Sequence, residues 1–575
     1  MSKPYKDFQP PFYYDRAPEK SYRSIFKWGD PELTKIPKEN LYKMMKELFG
    51  LSDGDFKTTK DLGLEEVKYD IPSKLSPEAL TFFRGVCGES NVSVTDYDRL
   101  SVAYGKTMYD LLRLRRAVVE NIPDAVIYPS DKSEINRIVE YCDKNLIPVY
   151  VYGGGSSVTR GVECIKGGIS LDMRRNFNKV IAFNEINQTI TVQTGMSGPA
   201  LEAHLHNART EFSAKRAYTC GHFPQSYEYS SVGGWVVTRG AGQNSTYYGK
   251  IEDIVISQEY ATPAGVIKSD PYIRTATGPS VDQIMMGSEG AFGVLTEVTL
   301  RVFRYRPENH LKFSYMFRTW QDGMAASREI MQVEAGYPSV FRLSDAEETD
   351  IMMRLYGVDG GALNSILKLR GFLPSKRCMF LGFTDGEKGF CKNVLRTVRR
   401  VCRRYKAMNL TSIPAASWER GRFTDPYLRD SMQDFGVMTD TLECTVNWDN
   451  MERVHEEVRA YCKSRPKTVC TTHLSHAYPQ GANLYWIFIV KMESLEEFKA
   501  YHGGILQAIQ TAGASMSHHH GIGKMFAPWL EDQIGSNQLE IYKALKAHFD
   551  PHNIMNPGGT LGLDIPSEGK NKPLP

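Results

Sequence analysis

The sequence has no apolar run able to cross a bilayer; its longest strongly apolar stretch, 484–490, falls far short of the ~20 residues a spanning helix needs. It has almost no excess of one charge, 70 Lys+Arg against 67 Asp+Glu for a net +3, which argues against nucleic acid as a partner. Its ten cysteines include no C-x-x-C pair, so zinc-ribbon and disulfide-framework readings give way to free thiols in a reducing compartment. It also lacks a Rossmann fingerprint, since Gly153-x-Gly155 is followed by Val158 where a glycine is required, and it lacks a P-loop. Internal repeats, low-complexity tracts and an apolar leader are missing as well. With 41% hydrophobic and 24% charged residues, disorder, collagen and coiled coil are excluded. What remains is a soluble, intracellular protein. At 575 residues it exceeds the roughly 250–300 that one core supports, so two or three domains are expected.

The pattern of elements changes near Ile122. Residues 1–116 are polar, aromatic and Pro-rich and then helical, and they carry no recognisable chemistry. A short apolar strand at 125–128 is followed by Asp131-x-x-Glu134, which reads as a capping box opening a helix with Ile135, Ile138, Val139 and Cys142 on one stripe. A buried strand at 147–152 runs into a glycine loop, and a hairpin follows at 179–193. In 294–302, Val294, Thr296, Val298, Leu300 and Val302 alternate, which predicts a half-buried strand. Strands and helices alternate again across 305–504. The segment 505–575 is rich in Gly and His and then helical over 531–548. These patterns predict an α+β fold with an N-terminal helical extension (1–116), two α+β domains (117–304 and 305–504) and a C-terminal segment (505–575).

Three glycine loops lie beside strands in the first α+β domain: GGGSS at 153–157, SSVGGWVVTRGAG at 230–242 and GSEGAFG at 287–293. Adjacent glycines let backbone N–H groups converge on an anion, because no Cβ blocks the approach. One such loop reads equally as a flexible turn. Three in one domain point to an extended ligand bearing a pyrophosphate.

Residues 517–524 read SHHHGIGK. Successive side chains point in different directions, so at most two of His518, His519 and His520 can face one site, where they suit general acid–base chemistry near neutral pH. His473-x-x-His476 raises a metal reading, but no acidic partner is placed for it and no metal site is expected. Read from the residues alone, Tyr485 is a packed tyrosine in an apolar strand and Arg429 a surface ion pair with Asp430.

GGGSS, SSVGGW, GSEGAFGVLTEVTL and FDPHNIMNPG at 549–558 resemble the two-subdomain FAD-binding domain of the vanillyl-alcohol-oxidase (PCMH) type, covered by a cap (substrate) domain. SHHHGIGK, with IPD at 122–124, GGWVxTR at 233–239, YGxIED at 248–253 and TGP at 277–279, is similar within that group to the alkyldihydroxyacetonephosphate synthase family, over most of 95–560. The resemblance implies FAD contacts from Val151, Tyr152, Gly153, Gly154, Gly155, Ser156 and Ser157. It implies others from Gln225, Ser226, Tyr227, Glu228, Tyr229, Ser230 and Ser231, from Thr238, Arg239, Gly240 and Ala241, and from Glu289, Gly290, Ala291, Phe292, Gly293, Val294 and Leu295. Positions 153–163 contain no His or Cys, so the FAD is expected to be non-covalent. The motifs around them imply that Tyr485 is the proton acceptor and donor, that Arg342 is needed for activity, that Arg429 holds the substrate phosphate, and that one or more of His518, His519 and His520 deprotonates the alcohol.

The implied reaction belongs to ether-lipid biosynthesis. A long-chain fatty alcohol replaces the acyl chain of 1-acyl-dihydroxyacetone phosphate, giving the 1-alkyl product and a fatty acid, without net redox change and through a covalent flavin N5 adduct. The alternative on the same fold is an FAD-linked D-2-hydroxyacid (D-lactate-type) dehydrogenase. The resemblance further implies peripheral membrane association, a homodimer and a peroxisomal or glycosomal location, although no targeting signal is legible. Six cations, Arg396, Arg399, Arg400, Arg403, Arg404 and Lys406, accompany an apolar stripe and read as a solvated helix face, with anionic lipid as the alternative partner.

Overall fold

The computed structural model describes residues 16–574 apart from Ile36 and Lys60. The N-terminal extension is helical at Tyr22–Phe26, Glu39–Phe49, Pro77–Cys87, Asp96–Ser101 and Met108–Arg115. Ser76, Thr95 and Thr107 start the last three, each accepting the N–H of the residue three positions on.

Among the described residues there are four sheets, one of them only the short pair Tyr218–Thr219 and Phe303–Arg304. In the first, Ala125–Ile127, Ile169–Asp172 and Val149–Tyr152 pair in parallel, with Val92–Ser93 added antiparallel at the edge. Helix Lys132–Lys144 covers it with Ile135, Ile138, Val139 and Cys142, all essentially buried as their stripe requires. The capping differs in detail from a reciprocal box: Asp131 accepts from Ser133 N, and Glu134 reaches past it to Ser130 N at 2.7 Å. The second sheet is antiparallel, ordered Val180–Asn184, Thr189–Gln193, Val294–Arg301, Val255–Thr262, Gly265–Lys268, and its first two strands form the expected hairpin. Strand Val294–Arg301 is buried on both faces rather than one. It is the central strand, and Val298 and Leu300 enter the main core while Val294 enters the smaller core under the first sheet.

The third sheet has seven antiparallel strands, with Val340–Ser344, Val469–Ser475, Gly481–Lys491 and Val437–Asn447 adjacent in that order. One face packs on helices Trp320–Gln332, Lys388–Arg404, Met451–Ser464 and Leu495–Thr511; the other meets helices Ala346–Leu355, Gly361–Leu369 and Ile413–Gly421. The final segment returns to the first sheet, where Val149 pairs with Met555. The helix expected over 531–548 is two helices, Leu530–Ile534 and Ser536–Phe549, because Gly535 adopts φ +84° between them. All ten cysteines are free and buried. Among the described residues no helix is long and apolar enough to cross a membrane.

Candidate functional site

A cavity of about 600 Å³ lies between the glycine loops and the seven-stranded sheet. Strand periodicity builds its sheet wall. In Gly481–Lys491, Leu484, Trp486 and Phe488 are fully buried in the core, while Tyr485, Ile487 and Ile489 line the cavity. The register sets Tyr485 against His473 on one side and Glu443 on the other, and Ile487 against Thr471 and Thr441. Arg342, opposite Ser475, joins the same face.

The facing wall is main chain. A Cβ on Gly153 would come 2.2 Å from Ser231 Oγ, and one on Gly154 would come 2.2 Å from Tyr229 O; Gly155 takes φ +65°. At Gly154 the loops therefore touch backbone to backbone, which only glycine permits. The Glu289 carboxylate accepts the N–H groups of Ile522 and Gly523 at 2.6 and 2.7 Å, joining the third loop to the histidine loop, and burial pushes its pKa up to about 7. Asn556, from the FDPHNIMNPG segment, donates to Glu289 O and Gly161 O. A long cradle of glycine backbone fits a flavin dinucleotide, whose pyrophosphate suits main-chain N–H donors.

The histidine loop turns around one carboxylate. Glu443, fully buried, accepts the backbone N–H of His518, His519 and His520 and the hydroxyl of Ser517, all within 3.1 Å. His519 and His520 line the cavity, and His518 turns away to hydrogen-bond Tyr478 at 2.8 Å. Two of the three thus face the site. Burial holds all three imidazoles below their ordinary pKa, opposed at His520 by Glu443, so they are neutral at pH 7. Tyr485 has its ring centroid 5.5 Å from His520 and donates to Thr441 Oγ1 at 3.0 Å; burial raises its pKa.

Arg342 donates to Glu348 at 2.6 Å and contacts His473 Nε2 at 3.1 Å, while His473 Nδ1 meets the other Glu348 oxygen at 3.0 Å. Burial alone would raise the Glu348 pKa, yet Arg342 and His473 hold it well below the carboxylate range. Arg429 is buried, hydrogen-bonded to Lys106 O and in contact with Asp430 at 3.4 Å.

Residues 123–269 match the FAD binding domain family, and residues 306–560 match the C-terminal domain of FAD linked oxidases. The uncharacterized FAD-linked oxidoreductase YgcU of Escherichia coli (strain K12) is 30% identical over 458 residues, 76% of this chain and 88% of the relative. The chain belongs to the FAD-linked oxidase family. Alkyldihydroxyacetonephosphate synthase of Dictyostelium discoideum is 28% identical over 552 residues, 92% of this chain and 88% of the relative. A solved alkyldihydroxyacetonephosphate synthase superposes with a TM-score of 0.77 at 26% identity, covering 92% of this chain and 94% of that one. This FAD-linked oxidase is thus an α+β, FAD-dependent enzyme of the PCMH type.

Of the residues singled out in the sequence, the cavity of this FAD-linked oxidase gathers Tyr485, His519, His520, Arg342 and Arg429. From the loops it gathers Val151, Gly153 to Ser157, Gln225, Ser226, Ser231, Thr238, Gly240, Ala241, Glu289, Gly290, Gly293 and Leu295. His518, Tyr152, Tyr227, Glu228, Tyr229, Ser230, Arg239, Ala291, Phe292 and Val294 stand outside its lining; Arg239, for example, turns to Gln283. Arg429 is no surface pair, because the N-terminal extension covers it. Sequence reasoning passed over Glu443, Glu348, His473 as a partner of Arg342, Asp440 (whose pKa burial raises to about 7) and Trp28. A lone Glu in the otherwise uncharged stretch 441–446 was the one available signal for Glu443.

Proposed function

We propose that this chain exchanges the acyl chain of 1-acyl-dihydroxyacetone phosphate for a long-chain alcohol; its synthase relatives are named for the alkyl product of such an exchange. One observation carries the reading: a single cavity combines glycine loops, the buried cation Arg429, the Tyr485–His520 pair and an apolar wall of Leu41, Ile351, Leu355, Leu428, Ile487 and Ile489. That set suits a molecule with a phosphate at one end and a lipid chain at the other.

Val151, the 153–157 loop, Ser231, Thr238 and Glu289 would hold FAD, which supplies the flavin ring that makes exchange at carbon 1 feasible. Arg429 binds the phosphate and fixes carbon 1 relative to Tyr485. Tyr485 rests as a neutral phenol, so it is ready to donate; accepting the carbon-1 proton requires that it first lose its own. His520 and His519, neutral and beside it, are bases for the alcohol hydroxyl. Arg342 is held by Glu348 and His473 against the same face.

Cavity-lining Leu355 and Tyr356 are followed along the chain by exposed apolar side chains at Leu363, Ile366, Leu369 and Leu373, which support delivery of both substrates from a bilayer. The basic helix Lys388–Arg404 packs on the opposite face of the seven-stranded sheet. The homodimer and the peroxisomal or glycosomal location belong to the same proposal and rest on the resemblance alone.

Purified enzyme given acyl-dihydroxyacetone phosphate and labelled hexadecanol without an electron acceptor should release labelled alkyl-dihydroxyacetone phosphate and one fatty acid per turnover. Turnover only when an oxidant is consumed, with D-lactate or another 2-hydroxyacid as substrate, would return the dehydrogenase reading.

A further inference from the structure

The N-terminal arm lies outside both matched family segments, 123–269 and 306–560, yet it is strapped over the helix that carries Arg429. Trp28 N donates to Asp430 at 2.8 Å and Asp30 N to Tyr427 Oη at 2.9 Å. Arg23 grips Asp434 through both guanidinium nitrogens, and Lys35 pairs with Asp425. Gly29 passes so close that a Cβ there would sit 2.3 Å from Tyr427 Oη. This strap sets the Trp28 indole against two partners. The Arg429 guanidinium lies 5.3 Å from its ring centroid, and Tyr229 packs edge-on at 5.6 Å.

Each of these three side chains keeps a buried polar atom without a protein partner among the described residues: Arg429 Nη2, Trp28 Nε1 and Tyr229 Oη. Trp28 and Arg429 are each 7% exposed, and both line the cavity. A buried donor left unsatisfied is costly, and three gathered around one ring, with Trp28 and Arg429 at the cavity wall and Tyr229 packed on Trp28 outside the lining, call for one shared acceptor-rich ligand. A guanidinium, an indole N–H and a phenol hydroxyl together match a phosphate monoester, which presents several acceptor oxygens and no apolar surface.

The structure assigns Trp28 and Tyr229 to the subsite for the substrate phosphate, as hydrogen-bond donors beside Arg429. The inference rests on the reading that Arg429 takes that phosphate. It makes the N-terminal arm part of the active site and reassigns Tyr229 from the cofactor to the substrate.

The test is the calorimetric Kd of unacylated dihydroxyacetone phosphate for the FAD-loaded enzyme and its W28F, Y229F and R429A variants, with dihydroxyacetone as the phosphate-free control. W28F and Y229F each remove one donor while keeping a ring. Each should weaken binding roughly tenfold, the effect of one hydrogen bond to a charged group, with unchanged flavin content and no effect on the control. Should W28F lower the folded yield, Y229F remains decisive. Wild-type affinity in both W28F and Y229F, with loss in R429A, overturns the inference and leaves the role of Arg429 standing. Wild-type affinity in R429A overturns both.

Discussion

The carboxylate of Glu443 lies 3.8 Å from His520 Nδ1 while accepting that residue's own backbone N–H at 3.1 Å. One buried anion therefore both shapes the histidine loop and raises the basicity of the imidazole beside Tyr485, against a burial effect that lowers it. Replacing Glu443 by Gln should cut kcat by about 10- to 100-fold, less than the roughly 10²–10⁴-fold that a whole general base contributes, because the imidazole stays in place, with KM changed little. In the proposed reaction the histidine base must be unprotonated, so activity falls as pH drops through its pKa. Loss of the carboxylate lowers that pKa, and the acid limb of the kcat profile should move to lower pH. A limb that stays in place or moves up would show that Glu443 acts only on loop shape.

Gly154 offers a cleaner probe of cofactor binding. A methyl group there would meet Tyr229 O at 2.2 Å and Ser230 Cα at 2.5 Å, both main chain and unable to yield. Gly154→Ala should force the 153–157 loop away from the 230–242 loop and lower FAD affinity at least tenfold, while the seven-stranded sheet is untouched. Flavin absorbance after gel filtration, beside far-UV circular dichroism, separates flavin loss from unfolding; full flavin retention would count against the cradle.

Features that depend on backbone are the ones the sequence makes legible. Three glycine loops beside strands can be read because glycine is replaceable by nothing else where chains touch, and Tyr485 can be placed in an apolar strand, although the unbroken apolar run 484–490 does not show which face meets a cavity. Glu443 and Trp28 were illegible for a different reason: their partners are remote in sequence, His518 being 75 residues away and Asp430 402 residues away. The break at Gly535 was missed because the apolar spacing continues through it, and the double burial of Val294–Arg301 because alternation reports one face only. Both depend on neighbours that a local pattern does not contain.

Glu348 is held by three donors, Arg342, Ser344 and His473, at 2.6, 2.9 and 3.0 Å. Glu348→Ala would strand Arg342, whose side chain is only 18% exposed, next to an unpaired histidine. Breaking a buried pair by removing one partner costs about 3–5 kcal/mol, so urea unfolding should show a loss of that order together with loss of turnover. A loss below about 1 kcal/mol would mean that solvent reaches the pair and that Arg342 is positioned by something else.

His222 tests the electrostatics of the fold away from the chemistry. It is 1% exposed, neither ring nitrogen has a protein partner among the described residues, and burial, with Lys250 adding to it, pushes its pKa down to about 3. In the unfolded chain the same imidazole titrates near its ordinary value of about 6.5. Between those values the unfolded state binds a proton that the folded state refuses, so stability falls as pH falls below about 6.5 and is insensitive to this residue above it. His476 and His502, also pushed down to about 3, act in the same direction. Glu289 and Asp440, raised to about 7, act in the opposite one: their contribution is present at low pH and is lost as pH rises through about 7. Comparison of wild type with H222Q cancels these shared contributions. The unfolding free energy of wild type should fall between pH 6 and 4.5 more steeply than that of the variant, by about 1.4 kcal/mol per pH unit for the one proton removed. Parallel slopes would show that His222 titrates normally in the folded protein, and that water reaches a ring now enclosed against Trp235.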